Sequence, residues 1–224
     1  LGVLHFEQDD YQRAISYLRI AKTLTFARLT SLFYLGFAYL KNKDYDSCIK
    51  QFQALQDGAL QLEHQGIPYD SIVEGETVGF MSLGELLAMA YWGSAFAYAE
   101  RNANLEKAQE LIQIAQQYMH RLRGLAPEIK VHWPAHCQDC EGWILFKLGQ
   151  VDTAIEALKC AVTLSAHPQA YVHLALAYEW QLQNSQDEAL LQQLRYCYQH
   201  VLELDVKNEY KQEMEVVSQR LQKI

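Results

Sequence analysis

The sequence predicts an all-α fold assembled from a repeated helical hairpin, and three observations carry that prediction. Apolar residues recur at three- and four-residue steps, as in Ala14, Ile15, Leu18 and Ala21, which draws one stripe along a helix. The pattern returns 34 residues later, pairing Gly2 with Gly36, Ala14 with Cys48, Leu18 with Phe52 and Ala21 with Leu55. Only 4 Pro and 11 Gly in 224 residues leave too few turns for an all-β sandwich. Half of the residues are hydrophobic and 21% are charged, which argues against disorder and allows a core. With 19 Lys+Arg against 27 Asp+Glu the net charge is −8, a poor match for a nucleic-acid scaffold, which needs a dense cationic face. No apolar run reaches the roughly 18–20 residues of a membrane span. Leu83 to Ala99 comes nearest, and Glu85 interrupts it. No membrane partner is expected.

Taken in order, residues 1–61 hold two regular copies of the repeat. The second runs Leu35-Gly36-Phe37-Ala38-Tyr39, Asp44-Tyr45, Cys48-Ile49, Phe52 and Leu55. A Gly-rich loop is expected over 62–82, pinned to the helices by Ile67, Tyr69, Ile72, Val78 and Phe80 as a structural plug, with a loop that helps form a binding surface as the alternative. Residues 83–123 form a degenerate copy, from Trp92-Gly93 to Ala108, Ile112 and Ala115, with about three extra residues around Arg101 to Asn104. A link with two prolines, Leu125 to Pro134, leads to a regular copy over 134–166, whose helix is expected to start at Pro134. That copy carries Gly142-Trp143, Leu148-Gly149, Ala154-Ile155, Leu158 and Ala161. The copy over 167–205 is again degenerate, with a lengthened turn from Gln183 to Asp187. Tyr210, Met214, Val217 and Leu221 give 206–224 the character of a capping helix. Asp44 and Asp152 are expected to cap the helices that follow their turns.

These copies resemble the tetratricopeptide repeat, and Gly142-Trp143-x5-Gly149 followed by Ala154-Ile155 is similar to its bacterial form. The resemblance covers most of the chain and implies one domain, 1–224, folded as a right-handed α-solenoid of about five helical hairpins plus a C-terminal capping helix. Gly and Ala at the crossing positions let helices approach closely, with Leu18, Phe52, Ile112 and Leu158 filling the space between them.

Chemistry-bearing patterns are sparse. His132-x3-His136-Cys137-x2-Cys140 has metal-ligand residue types, but a tetrahedral zinc site needs a second half, and Cys160 and Cys197 stand alone. The set reads as incidental to a helix start, so no metal, cofactor or catalytic residue is expected. No phosphate loop, His-Glu-x2-His or nucleophile elbow occurs, and an enzyme is not expected. Five scattered cysteines without a glycosylation sequon favour a reducing, cytoplasmic setting. The chain opens on Leu1 with no initiator Met and no basic leader, so a piece of a longer protein is expected.

In the family that the repeats resemble, the first helix of each pair lines an inner groove. Carried over by position, that implies Phe33, Phe37, Leu40 and Lys41 in the second copy, and Ala90, Ser94, Ala97 and Tyr98 in the third. The fourth supplies His136, Asp139, Trp143, Phe146 and Lys147, and the fifth Val172, Leu176, Glu179 and Trp180. The Lys/Arg and Asn clamp that family members use on chaperone C-termini is missing, since Phe33, Phe37, Asp139 and Trp143 stand at those positions. The expected function is a protein-interaction scaffold whose aromatic groove takes an apolar or amphipathic segment of another protein or of another domain of the parent chain. Aromatic residues are also ordinary core material, and packing against neighbouring helices is the competing reading for Phe33 and Trp143. The alternative function is a sensor or regulatory segment of a larger signalling protein, such as a transcription activator or signal-transduction ATPase. Self-association is expected through an exposed edge at Val3, Leu4 and Phe6.

Overall fold

A computed structural model describes residues 1–23, 28–72, 81–122, 127–183 and 187–222, with the backbone alone for 127–131 and 220. Its described helices fall into two compact units, Leu1–Leu125 and Ala126–Ile224, where the sequence reads as one domain. The first unit contains α1 (Gly2–Glu7), α2 (Tyr11–Ala21), α3 (Arg28–Lys41), α4 (Tyr45–His64), α5 (Leu83–Glu100) and α6 (Leu105–Arg121). The second contains α7 (Pro127–Lys147), α8 (Val151–Leu164), α9 (Pro168–Leu182), α10 (Glu188–Leu204) and α11 (Lys211–Gln222). Consecutive helices pack in pairs, α1 with α2 through α9 with α10, and α11 closes the series against α9 and α10. The fold is therefore all-α, of about five hairpins and a capping helix. No described helix is long and apolar enough to cross a membrane.

Four of the hairpins turn in the same way. Asp10, Asp44, Ala103 and Gln150 donate their N–H groups to the carbonyls of His5, Tyr39, Tyr98 and Leu145, closing the preceding helix five residues back. The residue before each donor, Asp9, Lys43, Asn102 or Gly149, adopts positive φ, which is the helix-ending geometry that satisfies orphan carbonyls. Asp10 and Asp44 then cap the next helix by accepting from Arg13 and Ser47 N–H. Asp152 does not cap: Gln150 holds the N-cap position, and Asp152, in the first turn of α8, accepts from Gln181 instead. A capping box of Ser82 and Glu85 opens α5, and Asp187 caps α10.

Large residues of the second helices lie against glycines of the first. The Phe52 ring sits where a Cβ on either Gly36 or Gly93 would stand, so α3 and α5 both close on one aromatic ring. Leu18 lies against Gly2, and Leu158 against Gly142, in the same relation. Leu18, Phe52, Ile112 and Leu158 are all buried, as the spacing predicts. In the second unit the core runs from Leu158 through Tyr178 and Leu194 to Val217 of α11.

Three segments differ in detail from the sequence reading. The link expected over Leu125 to Pro134 is helical from Pro127, and Pro134 lies inside α7, not at its start. A proline within a helix forgoes one backbone bond without necessarily ending it. The expected loop over 62–82 is shortened by α4, which continues to His64. Tyr69 and Ser71 receive the N–H groups of Gly84 and Leu83, the Tyr69 hydroxyl donates to the Arg121 carbonyl at 3.2 Å, and Ile67 packs beside Ala59, Leu83 and Leu87. Ile72 is exposed, and Val78 and Phe80 lie outside the described residues. At the N-terminal edge Leu4 is exposed, but Val3 and Phe6 pack on the Ala14–Leu18–Leu35 cluster, with Phe6 against Tyr34 at 5.3 Å.

Candidate functional site: the faces of the first helices

In the first unit, α3 and α5 bring four aromatic rings together. Phe33 meets Phe37 at 4.8 Å, Phe37 stacks on Trp92 at 6.1 Å, and Trp92 stacks on Phe96 at 5.7 Å. Phe33 is buried, while Phe37, Trp92 and Phe96 keep part of their surface in solvent. Phe37 also meets Phe52 edge-on, which anchors the row to the core. Leu40 and Tyr98 are half-buried and Lys41 is exposed at the ends of their helices.

Trp92 and Phe96 are absent from the inner positions that the sequence reading assigns to the third copy. Ala90, Ser94 and Ala97, assigned there instead, are buried, and the Gln56 amide donates to the Ala90 carbonyl and the Ser94 hydroxyl. The cause is register. Relative to the second copy, α5 carries two of the extra residues and the turn only one. Counting back from the turn aligns Trp92 and Phe96 with Phe33 and Phe37, whereas counting forward from Gly93 shifts the face by half a turn.

In the second unit, one stripe of α7 (His132, His136, Asp139, Trp143) faces the start of α9. His132 bonds Ser165 at 2.9 Å, the His136 ring lies 4.7 Å from that of His167, and Asp139 bonds His173 at 2.7 Å. Trp143 lies flat on His173, with 4.1 Å between centroids, and its ring also meets Phe146 and the Lys147 ammonium at 4.3 Å. Trp143 and Asp139 are buried, so their surface is spent on this seam. Burial pushes the imidazole of His167 down to about 4 and that of His136 in the same direction, against the opposing pull of the Asp139 carboxylate. Phe146, Lys147, Leu176 and Glu179 are half-buried, Val172 is buried, and Trp180 is 47% exposed.

Cys137 and Cys140 are both buried in α7, and burial pushes the Cys137 thiol up to about 12. Among the described residues no group of three or more His, Cys, Asp or Glu side chains could hold a metal ion.

Residues 30–57, which span α3, its turn and most of α4, match the family model of the tetratricopeptide repeat. The fold is that of tetratricopeptide-repeat proteins. A thermophilic protein of this repeat class from Thermus thermophilus, TTC0263, is 18% identical over 100% of this chain and 96% of its own, with a TM-score of 0.60. The nearly identical TPR-like repeats of a putative kinesin light chain from Podosopora anserina share 21% identity over 88% of this chain and 91% of theirs, at TM-score 0.53. MamA of MSR-1 is 14% identical over 98% of this chain and 93% of its own, at TM-score 0.50. No curated protein matches the sequence.

Proposed function

We propose that this chain is a protein-interaction module, and that the aromatic row on α3 and α5 seats an apolar or amphipathic segment of a protein partner. The observation that carries the reading is the part-open stack of Phe37, Trp92 and Phe96. Three large rings held in fixed mutual orientation, each with surface left to water, offer anchors at small entropic cost. Leu40, Lys41 and Tyr98 extend the same face. The fold supports the reading because tetratricopeptide-repeat architectures present the first helices of successive hairpins side by side, though the fold itself names no partner. In the second unit Phe146, Lys147 and Trp180 keep surface to contribute, whereas Trp143 serves the seam.

A photoreactive phenylalanine analogue at position 96 tests this. Light should crosslink a partner segment, and the corresponding synthetic peptide should bind the chain with an affinity that Phe37→Ala lowers at least tenfold, the loss of one aromatic anchor. If the peptide binds the variant's folded fraction as tightly as the parent, the row is core and not a docking face.

A further inference from the structure

Three polar atoms on the α7–α9 seam of the second unit are buried without a hydrogen-bond partner: Asp139 Oδ2, His167 Nε2 and Gln169 Nε2. Asp139 is 1% exposed, and its other oxygen is taken by His173. A buried carboxylate oxygen left unpaired is costly, and so are buried N–H donors. The three belong to one neighbourhood. The charge of Asp139 acts on His136, His167 and Tyr210 alike, the His136 and His167 rings lie side by side, and the Tyr210 hydroxyl donates to Gln169 Oε1.

Their chemical roles are fixed. His167 Nδ1 accepts from the Ala170 N–H as the cap of α9, so in the neutral ring Nε2 carries the proton and is a donor. Burial keeps that ring neutral near pH 7. Gln169 Oε1 is occupied by Tyr210, which leaves its NH₂ as a second donor. Asp139 Oδ2 can only accept. The unmet demand is thus two donors and one acceptor.

We propose that this seam binds a primary amide group, whose carbonyl oxygen accepts from His167 Nε2 and Gln169 Nε2 while its NH₂ donates to Asp139 Oδ2. A carboxylate would satisfy the donors but face Asp139, and an ammonium would satisfy Asp139 but strand both donors. A group with an acceptor and a donor side by side meets all three, and a polypeptide offers it in Asn or Gln side chains; a hydroxyl or a water is the competing occupant, whereas the C=O and N–H of one trans peptide point to opposite sides. The three atoms are themselves sealed, and His136, His167 and Gln169 are part-buried at the start of α9, so a ligand reaches them there when the His167 or Gln169 side chain turns. The bonds that hold His167 and Gln169 are both 3.4 Å long, weak enough for either side chain to turn toward a ligand. The site rests on the interaction reading and deepens it: in addition to the aromatic row proposed for the first unit, the second unit carries a polar point for an amide side chain of a protein partner.

Capped Ala-X-Ala tripeptides with X = Ala, Asn, Asp or Lys serve as probes, followed by the imidazole ¹H–¹⁵N resonances of His167 in the full chain. Saturable shifts with the Asn probe that the Ala, Asp and Lys probes, all capped as acetyl and N-methylamide, do not give support the site; equal shifts with all four overturn it. Gln169→Glu, which turns a donor into an acceptor, should weaken binding about tenfold, and His167→Asn, which keeps the cap of α9 but removes Nε2, should do the same, with thermal unfolding little changed. Binding by Lys alone or Asp alone, no saturable shift with any probe (buried water only), or full affinity in a folded Gln169→Glu variant would overturn the proposal. These probes do not engage the aromatic row, so failure here leaves the crosslinking result at position 96 standing, and the reverse.

Discussion

Lys43 and Gly149 occupy the same point in two hairpin turns, with φ of 58° and 79°, yet only one of them is glycine. A side chain in this left-handed region costs about 1–2 kcal/mol, part of which glycine returns through the greater freedom of its unfolded chain. Lys43→Gly should therefore stabilise the first unit by about 0.5–1 kcal/mol, seen as a higher urea midpoint with an unchanged slope. The opposite holds at Gly36. Its Cβ would enter the Phe52 ring, and that ring cannot retreat because Gly93 presses its other side. Gly36→Ala should cost about 1–3 kcal/mol despite the better helix propensity of alanine. An unchanged midpoint would mean that the ring has room to move. The glycine positions were legible from the 34-residue period; the left-handed residues were not, because Asp9, Lys43 and Asn102 carry no glycine to mark them.

Between elements, the α7–α9 seam makes a pH-dependent contribution of predictable sign. His167 titrates near 4 in the folded chain against an ordinary value near 6.5, so between those values the unfolded chain binds more protons. The stability it confers is complete above about pH 6.5 and declines as pH falls toward 4. Part exposure of the ring limits the loss to about 1–2 kcal/mol. His132, His136 and His173 face it as further bases, and Asp139 is the carboxylate that opposes the trend. His167→Asn should flatten the fall in melting temperature between pH 7 and 4.5 while leaving the pH 7 value nearly unchanged. An equally steep fall in the variant would assign the acid sensitivity to other groups. The sequence showed His132, His136, Cys137 and Cys140 as a cluster and prompted a metal question, whereas the partners of the two histidines are Ser165 and His167, across the hairpin. Sequence proximity along α7 favoured the cysteines, and only packing against α9 reveals the other side. Trp92 and Phe96 were missed for a related reason: inserting residues inside a helix rotates its face, so a register carried from Gly93 turns the wrong side inward.

At the scale of the whole chain, net charge and the exposed edge of α1 act against each other. Leu1 is 77% and Leu4 56% exposed, while Val3 and Phe6 are already committed to the first unit's core. What remains uncovered on α1 is chiefly Leu1 and Leu4, two side chains where a specific, stable interface buries roughly 1,000 Å². Two copies that meet through this edge also bring together two chains of net charge −8, a repulsion that added salt screens over about 10 Å at 0.1 M. We therefore expect a monomer at micromolar concentration, and reversible association only at high protein concentration, strengthening as salt is added. Leu4→Glu, which puts a further negative charge on the patch, should abolish that association without touching the core, because the Leu4 side chain faces solvent. Sedimentation velocity of both proteins at low and high salt checks it. If parent and variant sediment alike at every salt and protein concentration, this edge does not mediate self-association, and the hydrophobic surface of α1 contributes nothing beyond its contacts with α2 and α3.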